Sequence, residues 1–236
     1  MKAVTADAMA KALLDTRANR LVRSDSISES NLSTGIKELD RLIGGIPRGA
    51  TTLATGPESS GRMTLMLSTI ASTVTKGFSC ALVDAFDSFD ADTAGKSGFD
   101  LDQMLWVRCG HNLQNALRAT EIVLESGGFG LVILDVASIS ARARQSIPDS
   151  CWFRFRRSVE KNLSSLLIVG PEFMSVSSAQ LSLELQLGKA RWTGGSTKHS
   201  LSRSLVGIDF IVKRRKPFPS IESSNISTSI PYDIPD

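Results

Sequence analysis

Aromatic side chains are scarce, at 6% of 236 residues with a single tyrosine. No apolar run approaches the ~20 residues a helix needs to cross a bilayer. The three cysteines, Cys80, Cys109 and Cys151, are odd in number and scattered, with no C-x-x-C pair. That excludes a disulfide framework and points to reduced thiols. The two histidines, His111 and His199, stand far apart, so zinc-ligand spacing is missing and no metal is expected. Charge is nearly balanced as well: a net +3 implies nothing about nucleic acid by itself, and any basic surface has to be local.

What is present describes one soluble α/β domain. Hydrophobic content is 42%, mean hydropathy is +0.01, and the length allows a substantial core but leaves little for a second domain. The first twenty residues carry Lys2, Asp7, Lys11, Asp15 and Arg17 where a signal peptide would be apolar, so a cytoplasmic protein is expected. Residues 5–22 place Met9, Leu13 and Leu21 near helical spacing, and a serine-rich linker follows; 1–31 thus reads as a helix and linker ahead of the main domain.

From residue 36 helices and apolar strands alternate. Helices are predicted at 36–43, 62–76, 111–126 and 150–162, with strands at 51–55, 80–84, 104–107, 131–135 and 165–170. Apolar strands separated by helices imply a mostly parallel central sheet covered on both faces. Later, AQLSLELQL alternates strictly, with Leu181, Leu183, Leu185 and Leu187 on one face, and VGIDFIVKRR (206–215) is a second strand. Together they predict an antiparallel C-terminal extension. The core domain is read as 32–216 and the Pro-, Ser- and Ile-rich 217–236 as a mobile tail.

The most informative stretch is LATGPESSGRMTLML, Leu53 to Leu67. A buried strand, a glycine loop and a helix start in that order form a phosphate cradle. Its backbone amides point inward and the helix N-terminus adds partial positive charge. The loop Gly56, Pro57, Glu58, Ser59, Ser60, Gly61 has the G-x-x-x-x-G spacing, and Thr64 lies just beyond. Its chemistry is altered, because Arg62 takes the lysine slot and Met63 the slot whose hydroxyl should ligate Mg²⁺. A thioether is a poor ligand for that hard cation.

GPESSG followed by a basic residue resembles the phosphate loop of bacterial RecA recombinases. Leu32 to Gly56, CALVDAFDSFD (Cys80 to Asp90) and LVILDVAS (Leu131 to Ser138) are similar to three further RecA segments in the same order. The resemblance implies a RecA-like P-loop core with Asp135 at the second ATPase motif. It puts the water-activating glutamate at Phe86, with Asp87 adjacent but pointing elsewhere. It also puts the adenine-stacking tyrosine near Thr93 and the sensor glutamine on or beside Pro171. Losses at Met63, Phe86, Thr93 and Pro171 converge on a site that cannot turn over ATP, so no cofactor is expected. Arg62 and the loop amides can still hold a phosphate or sulfate at the helix N-terminus, or the glycine loop can persist for its turn geometry alone.

Two basic segments stand out. Arg142, Arg144, Arg154, Arg156 and Arg157 interleave with Trp152, Phe153 and Phe155. Such a mixture suits single-stranded DNA or a partner protein. On a helix, however, Trp152, Phe155 and Val159 form a buried stripe and leave the arginines solvated. Lys189, Arg191, Lys198 and Arg203 make 189–204 basic, at the place read as the second RecA DNA loop. Lys213 to Lys216 form a positive run at a strand end, and QLSLEL is similar to peptides that bind the bacterial sliding clamp, a match expected to be coincidental inside a regular strand.

With the runs IPDSCWFRFRRSVE, SLLIVGPE and DFIVKRRK, the degenerate core resembles the ImuA family. That resemblance implies a non-enzymatic accessory in damage-induced translesion synthesis and mutagenesis. Its partners would be RecA, an ImuB-type polymerase-like protein and an error-prone DNA polymerase, with no membrane. A slow ATP-dependent recombinase-like ATPase and a single-stranded DNA-binding module remain the alternatives.

Overall fold

The computed structural model describes residues 31–91, 104–192, 205–217 and 221–229. The predicted helix at 5–22 lies outside them. Along the chain come α1 (Lys37–Ile43), β1 (Ala50–Gly56), α2 (Arg62–Thr75), β2 (Cys80–Asp84), β3 (Met104–Arg108), α3 (Leu113–Ser126) and β4 (Leu131–Asp135). They are followed by α4 (Ala141–Gln145), α5 (Asp149–Asn162), β5 (Ser165–Pro171), β6 (Leu181–Trp192), β7 (Leu205–Lys216) and β8 (Ile221–Ser229).

The strands form an eight-stranded sheet in the order β3-β2-β4-β5-β1-β6-β7-β8. From β3 to β6 every neighbouring pair is parallel; β7 and β8 add antiparallel pairs. The fold is therefore the α/β one expected, mostly parallel with an antiparallel C-terminal part. Strands β1, β2 and β4 are buried along their whole length. Both faces of a parallel sheet must be covered by its crossover helices, and the apolar runs of β2 and β4 are the result, while β1 buries Thr51, Thr52 and Thr55 among its apolar residues.

Alternate residues feed two cores. Val83, Val132, Leu134, Leu166 and Ile168 face one cluster, with Leu117, Val123 and Leu124 of α3 and Trp152, Phe155 and Val159 of α5. Leu82, Ile133, Leu167 and Val169 face the other, with Leu39 of α1 and Leu65, Met66 and Ile70 of α2. Each fully buried side chain of this size contributes about 1.5–3 kcal/mol relative to exposure. The buried face of α2 also holds two threonines, each returning its hydroxyl to the helix: Thr69 Oγ1 donates to Leu65 O at 2.7 Å and Thr73 Oγ1 to Thr69 O at 2.6 Å. No buried donor is left over there.

The chain approaches β1 through a turn built on Asp40. Its carboxylate accepts from Ser33 Oγ at 2.6 Å, Thr34 N at 2.8 Å and Thr34 Oγ1 at 2.7 Å. Leu32 and Ile46 pair as an isolated bridge. The LSTGIKELD stretch thus anchors the start of β1 rather than contributing to a pocket.

The antiparallel extension expected from the alternating segments is the β6–β7 pair, and β6 joins it to the sheet by pairing parallel with β1 over Thr52↔Leu181 to Thr55↔Glu184. Two expectations are corrected. Leu181, Leu183 and Leu185 are buried as the alternation requires, but Leu187 is exposed next to a break in the β6–β7 register. The expected mobile tail after Lys216 contains β8, which pairs with β7 from Gly207↔Ser229 to Arg214↔Ile221. Composition misleads there because strand pairing, not intrinsic propensity, fixes an edge strand. Among the described residues no helix is long and apolar enough to cross a membrane.

Candidate functional site

Parallel pairing aligns the strand ends. Gly56 stands opposite Pro171, Asp84 opposite Asp135, and Asp135 opposite Val169. Loops after β1, β2, β4 and β5 therefore meet at one carboxyl edge, where open α/β sheets hold their ligands. Backbone strain gathers at the same edge. Of the five non-glycine residues with positive φ among the described residues, Ser59, Asp87, His111 and Phe173 lie in loops following β1, β2, β3 and β5; Leu163 is the exception. Such conformations cost about 1–3 kcal/mol each and persist only where surroundings enforce them.

The glycine loop has the shape of a phosphate cradle, and packing explains its glycines. A Cβ on Gly56 would lie 2.4 Å from Leu185 O and 2.5 Å from Ser60 Oγ. Gly61 has φ +92°, and a Cβ there would lie 2.9 Å from the Phe210 ring. Strands β6 and β7 thus run directly beneath the loop and leave no room for a side chain. Pro57, Glu58 and Ser59 are exposed, whereas Ser60 is buried, its hydroxyl finding no hydrogen-bond partner among the described residues. Thr64 is half-buried, one residue round α2 from Met63, so the two point in different directions.

Arg62, the first residue of α2, turns back over the strand ends. Its Nη1 donates to Gly170 O at 2.7 Å and, more weakly, to Ala137 O at 3.4 Å. Burial lowers its pKa, while the charges of Asp135 and Glu58 oppose that shift. Met63 is 41% exposed and offers sulfur where a magnesium-nucleotide site needs hydroxyl oxygen. Pro171 ends β5 with neither a side-chain donor nor an N–H.

Two carboxylates lie below the mouth. Asp84, fully buried, accepts from the backbone N–H groups of Phe86 at 3.3 Å, Ser88 at 3.0 Å and Phe89 at 2.9 Å. It thereby folds the β2 loop over itself, an Asx-type turn. Asp135 accepts from Ala137 N at 2.9 Å and from Ser88 Oγ at 2.8 Å. Burial raises its pKa, more than those two hydrogen bonds and Arg62 lower it. The Ser88 hydroxyl, 3.4 Å from Asp84, bridges the pair. Nothing in the pattern DAFDSFD singles out this serine; it emerges only once β2 and β4 are side by side.

Phe86, at the expected base position, packs on the core and meets His111 edge-to-face with ring centroids 6.2 Å apart. Asp87 points away, pairing with Arg108 Nη2 at 3.1 Å. Thr93 lies outside the described residues. Among them, no group of three or more His, Cys, Asp or Glu could hold a metal ion. The three cysteines are free and buried. Burial pushes Cys80 and Cys109 to about 12 and Cys151 to about 11, which leaves them unreactive thiols.

Among the described residues, the arginines of the first basic segment divide between ion pairs, a backbone contact and solvent. On α5, Cys151, Trp152, Phe155 and Val159 form the buried stripe, and Phe153 is exposed among the arginines. Arg154 Nε pairs with Glu121 Oε1 at 2.5 Å, and Arg156 Nε with Glu160 Oε1 at 2.7 Å. Arg144 donates to Glu172 O at 3.1 Å, while Arg142 and Arg157 are exposed. Lys189 is exposed on β6, the Arg191 side chain is not among those described, and Lys198 and Arg203 lie outside the described residues. In the positive run, Arg215 pairs with Glu184 at 2.6 Å. Burial works to raise the Glu184 pKa, but hydrogen bonds from Arg215 and Gln186 and the charge of Lys213 outweigh it and hold the carboxyl below its ordinary value. QLSLEL is a sheet strand whose leucines are buried, not a free peptide.

Comparison with known proteins now fits this geometry. The RecA N-terminal domain family matches residues 7–147. Protein RecA of Methylobacterium radiotolerans is 40% identical over 128 residues, 52% of this chain and 35% of that protein; Protein RecA of Brucella canis is 38% identical over the same length. The chain spans about a third of the length of these curated relatives. The family match covers more than half of the chain and includes the glycine loop, Asp84 and Asp135, so this chain belongs to the RecA N-terminal domain family.

Proposed function

We propose that this RecA-type core does not turn over ATP and serves as a non-catalytic accessory, of the ImuA kind, in DNA-damage-induced translesion synthesis. Its partners on this reading are RecA and an ImuB-type polymerase-like protein working with an error-prone polymerase. The observation that carries the reading is Phe86. The position two residues after β2 that should activate water holds a phenyl ring seated against the core and His111, the carboxylate next in sequence, Asp87, is turned toward Arg108, and Asp84 is engaged by the backbone N–H groups of its own loop. Loss of a general base alone costs ~10²–10⁴-fold in rate. Met63 adds the loss of a metal ligand, and Pro171 the loss of a polar reader of the γ-phosphate.

Retained architecture without the chemistry favours reuse of the fold for protein contacts. Single-stranded DNA binding through α5 has less support, because Arg154 and Arg156 are already engaged by glutamates. The test has two arms. The purified chain with magnesium and ATP, with or without single-stranded DNA, is expected to release no phosphate above the blank. Added to RecA on single-stranded DNA, it is expected to change filament length or RecA's ATPase rate. Phosphate release that depends on Asp135, or a RecA filament indifferent to the chain, overturns the reading.

A further inference from the structure

The cation in the lysine slot is already occupied. Arg62 leaves the first turn of α2 and directs its guanidinium onto Gly170 O at 2.7 Å and Ala137 O at 3.4 Å. These acceptors belong to the ends of two different strands. Gly170 is the penultimate residue of β5, and Ala137 lies two residues beyond β4. The charges of Asp135 and Glu58 act favourably on the same guanidinium. Both bonds leave one nitrogen, Nη1, whose two N–H donors serve one carbonyl each. The acceptors here are protein groups, held by a parallel ladder that runs from Ser165 to Val169 opposite Leu131 to Asp135.

We propose that Arg62 is a built-in staple that fastens the phosphate loop and α2 to the ends of β4 and β5. It thereby holds the carboxyl edge in one arrangement with no nucleotide, and its cation is withheld from any polyphosphate. This deepens the non-catalytic reading and rests on it for the site. An ATP-switched protein alternates because its loop cation answers to a phosphate. Here the cation answers to two backbone carbonyls, so the edge presents one constant surface. Met63 and Phe173, 41% and 84% exposed, belong to that surface.

The experiment compares the full chain with Arg62→Ala and Arg62→Lys by thermal unfolding, with and without millimolar pyrophosphate. Amide hydrogen exchange is read at 137–140 and 172–175. The wild-type midpoint is expected to stay where it is when pyrophosphate is added. Arg62→Ala should lower it by about 3–8 °C, from the loss of hydrogen bonds to a charged group. Exchange in the two loops should quicken while β2 amides keep their protection. Arg62→Lys, the variant kept in case the alanine form does not fold, should lose part of that stability. It should recover some of the loss on adding pyrophosphate, because its ammonium is freer to meet the anion. Wild-type stabilisation by pyrophosphate, or an Arg62→Ala protein with wild-type midpoint and loop exchange, overturns the staple. Neither result would restore phosphate release, so the staple and the non-catalytic reading fail separately.

Discussion

Beneath the glycine loop and at its mouth, the same few residues have had different fates. The floor is crowded: Leu185 O would meet a Cβ on Gly56 at 2.4 Å and the Phe210 ring one on Gly61 at 2.9 Å. The mouth is open, and there Met63, Phe86 and Pro171 stand where hydroxyl, carboxylate and amide groups are expected. A position that touches the protein's own backbone is held by packing whether or not a nucleotide ever arrives. Exposed Met63 has no such constraint, whereas Phe86 is itself packed on the core. The glycines therefore report on fold, and the mouth residues report on chemistry.

The comparison can be broken at the floor first. Phe210→Ala should cost about 3–5 kcal/mol, the usual range for emptying a fully buried phenyl site. Urea unfolding would check it, and a cost under about 1 kcal/mol would mean that β7 does not support the loop. Gly61→Ala should cost about 2–4 kcal/mol, combining left-handed strain with overpacking against Phe210. Against a total of about 5–15 kcal/mol for a domain, either change is severe.

Between floor and mouth lies Asp135. Its carboxyl pKa is raised in the folded chain, chiefly by burial. A raised folded value means its contribution to stability is fully present below the ordinary carboxylate range and fades as pH rises through the shifted value. Asp135→Asn should therefore flatten that decline, so that urea midpoints of the two proteins measured from pH 4 to 8 converge or cross toward the alkaline end. A parallel offset at every pH would show that the carboxyl does not titrate differently on folding.

The smallest effect belongs to the mouth. Met63→Thr should change stability by no more than about 0.5 kcal/mol, as expected of an exposed position. It should also leave phosphate release absent, because Phe86 and Pro171 are untouched. Recovery of hydrolysis from this one substitution would show that the mouth is one side chain from activity.

Much of this contrast was legible in the residues. Continuous apolar runs such as CALVD and LVILD fix buried parallel strands, and the G-x-x-x-x-G spacing fixes the loop between β1 and α2. The α5 stripe of Trp152, Phe155 and Val159 also separates buried rings from solvated arginines. What stayed hidden was pairing between distant segments. Alternation in LSLELQL says which residues share a face and not which strands lie on either side, so the parallel partnership of β6 with β1 was invisible. Arg62 finds its acceptors 75 and 108 residues further on, both of them backbone oxygens that carry no side-chain identity. Ser88 likewise acquires its role only from the Asp84↔Asp135 register.

Strand β6 has one more consequence. With β1 parallel on one side and β7 antiparallel on the other, it is the seam through which β7 and β8 join the rest of the sheet. Opening from the outer rim would first peel away β8, which leaves Phe210 in place. Only when β7 detaches does the ring leave the underside of Gly61. Protection against amide exchange should therefore fall in steps from β6 outward, and the phosphate loop should loosen with the second step and not the first.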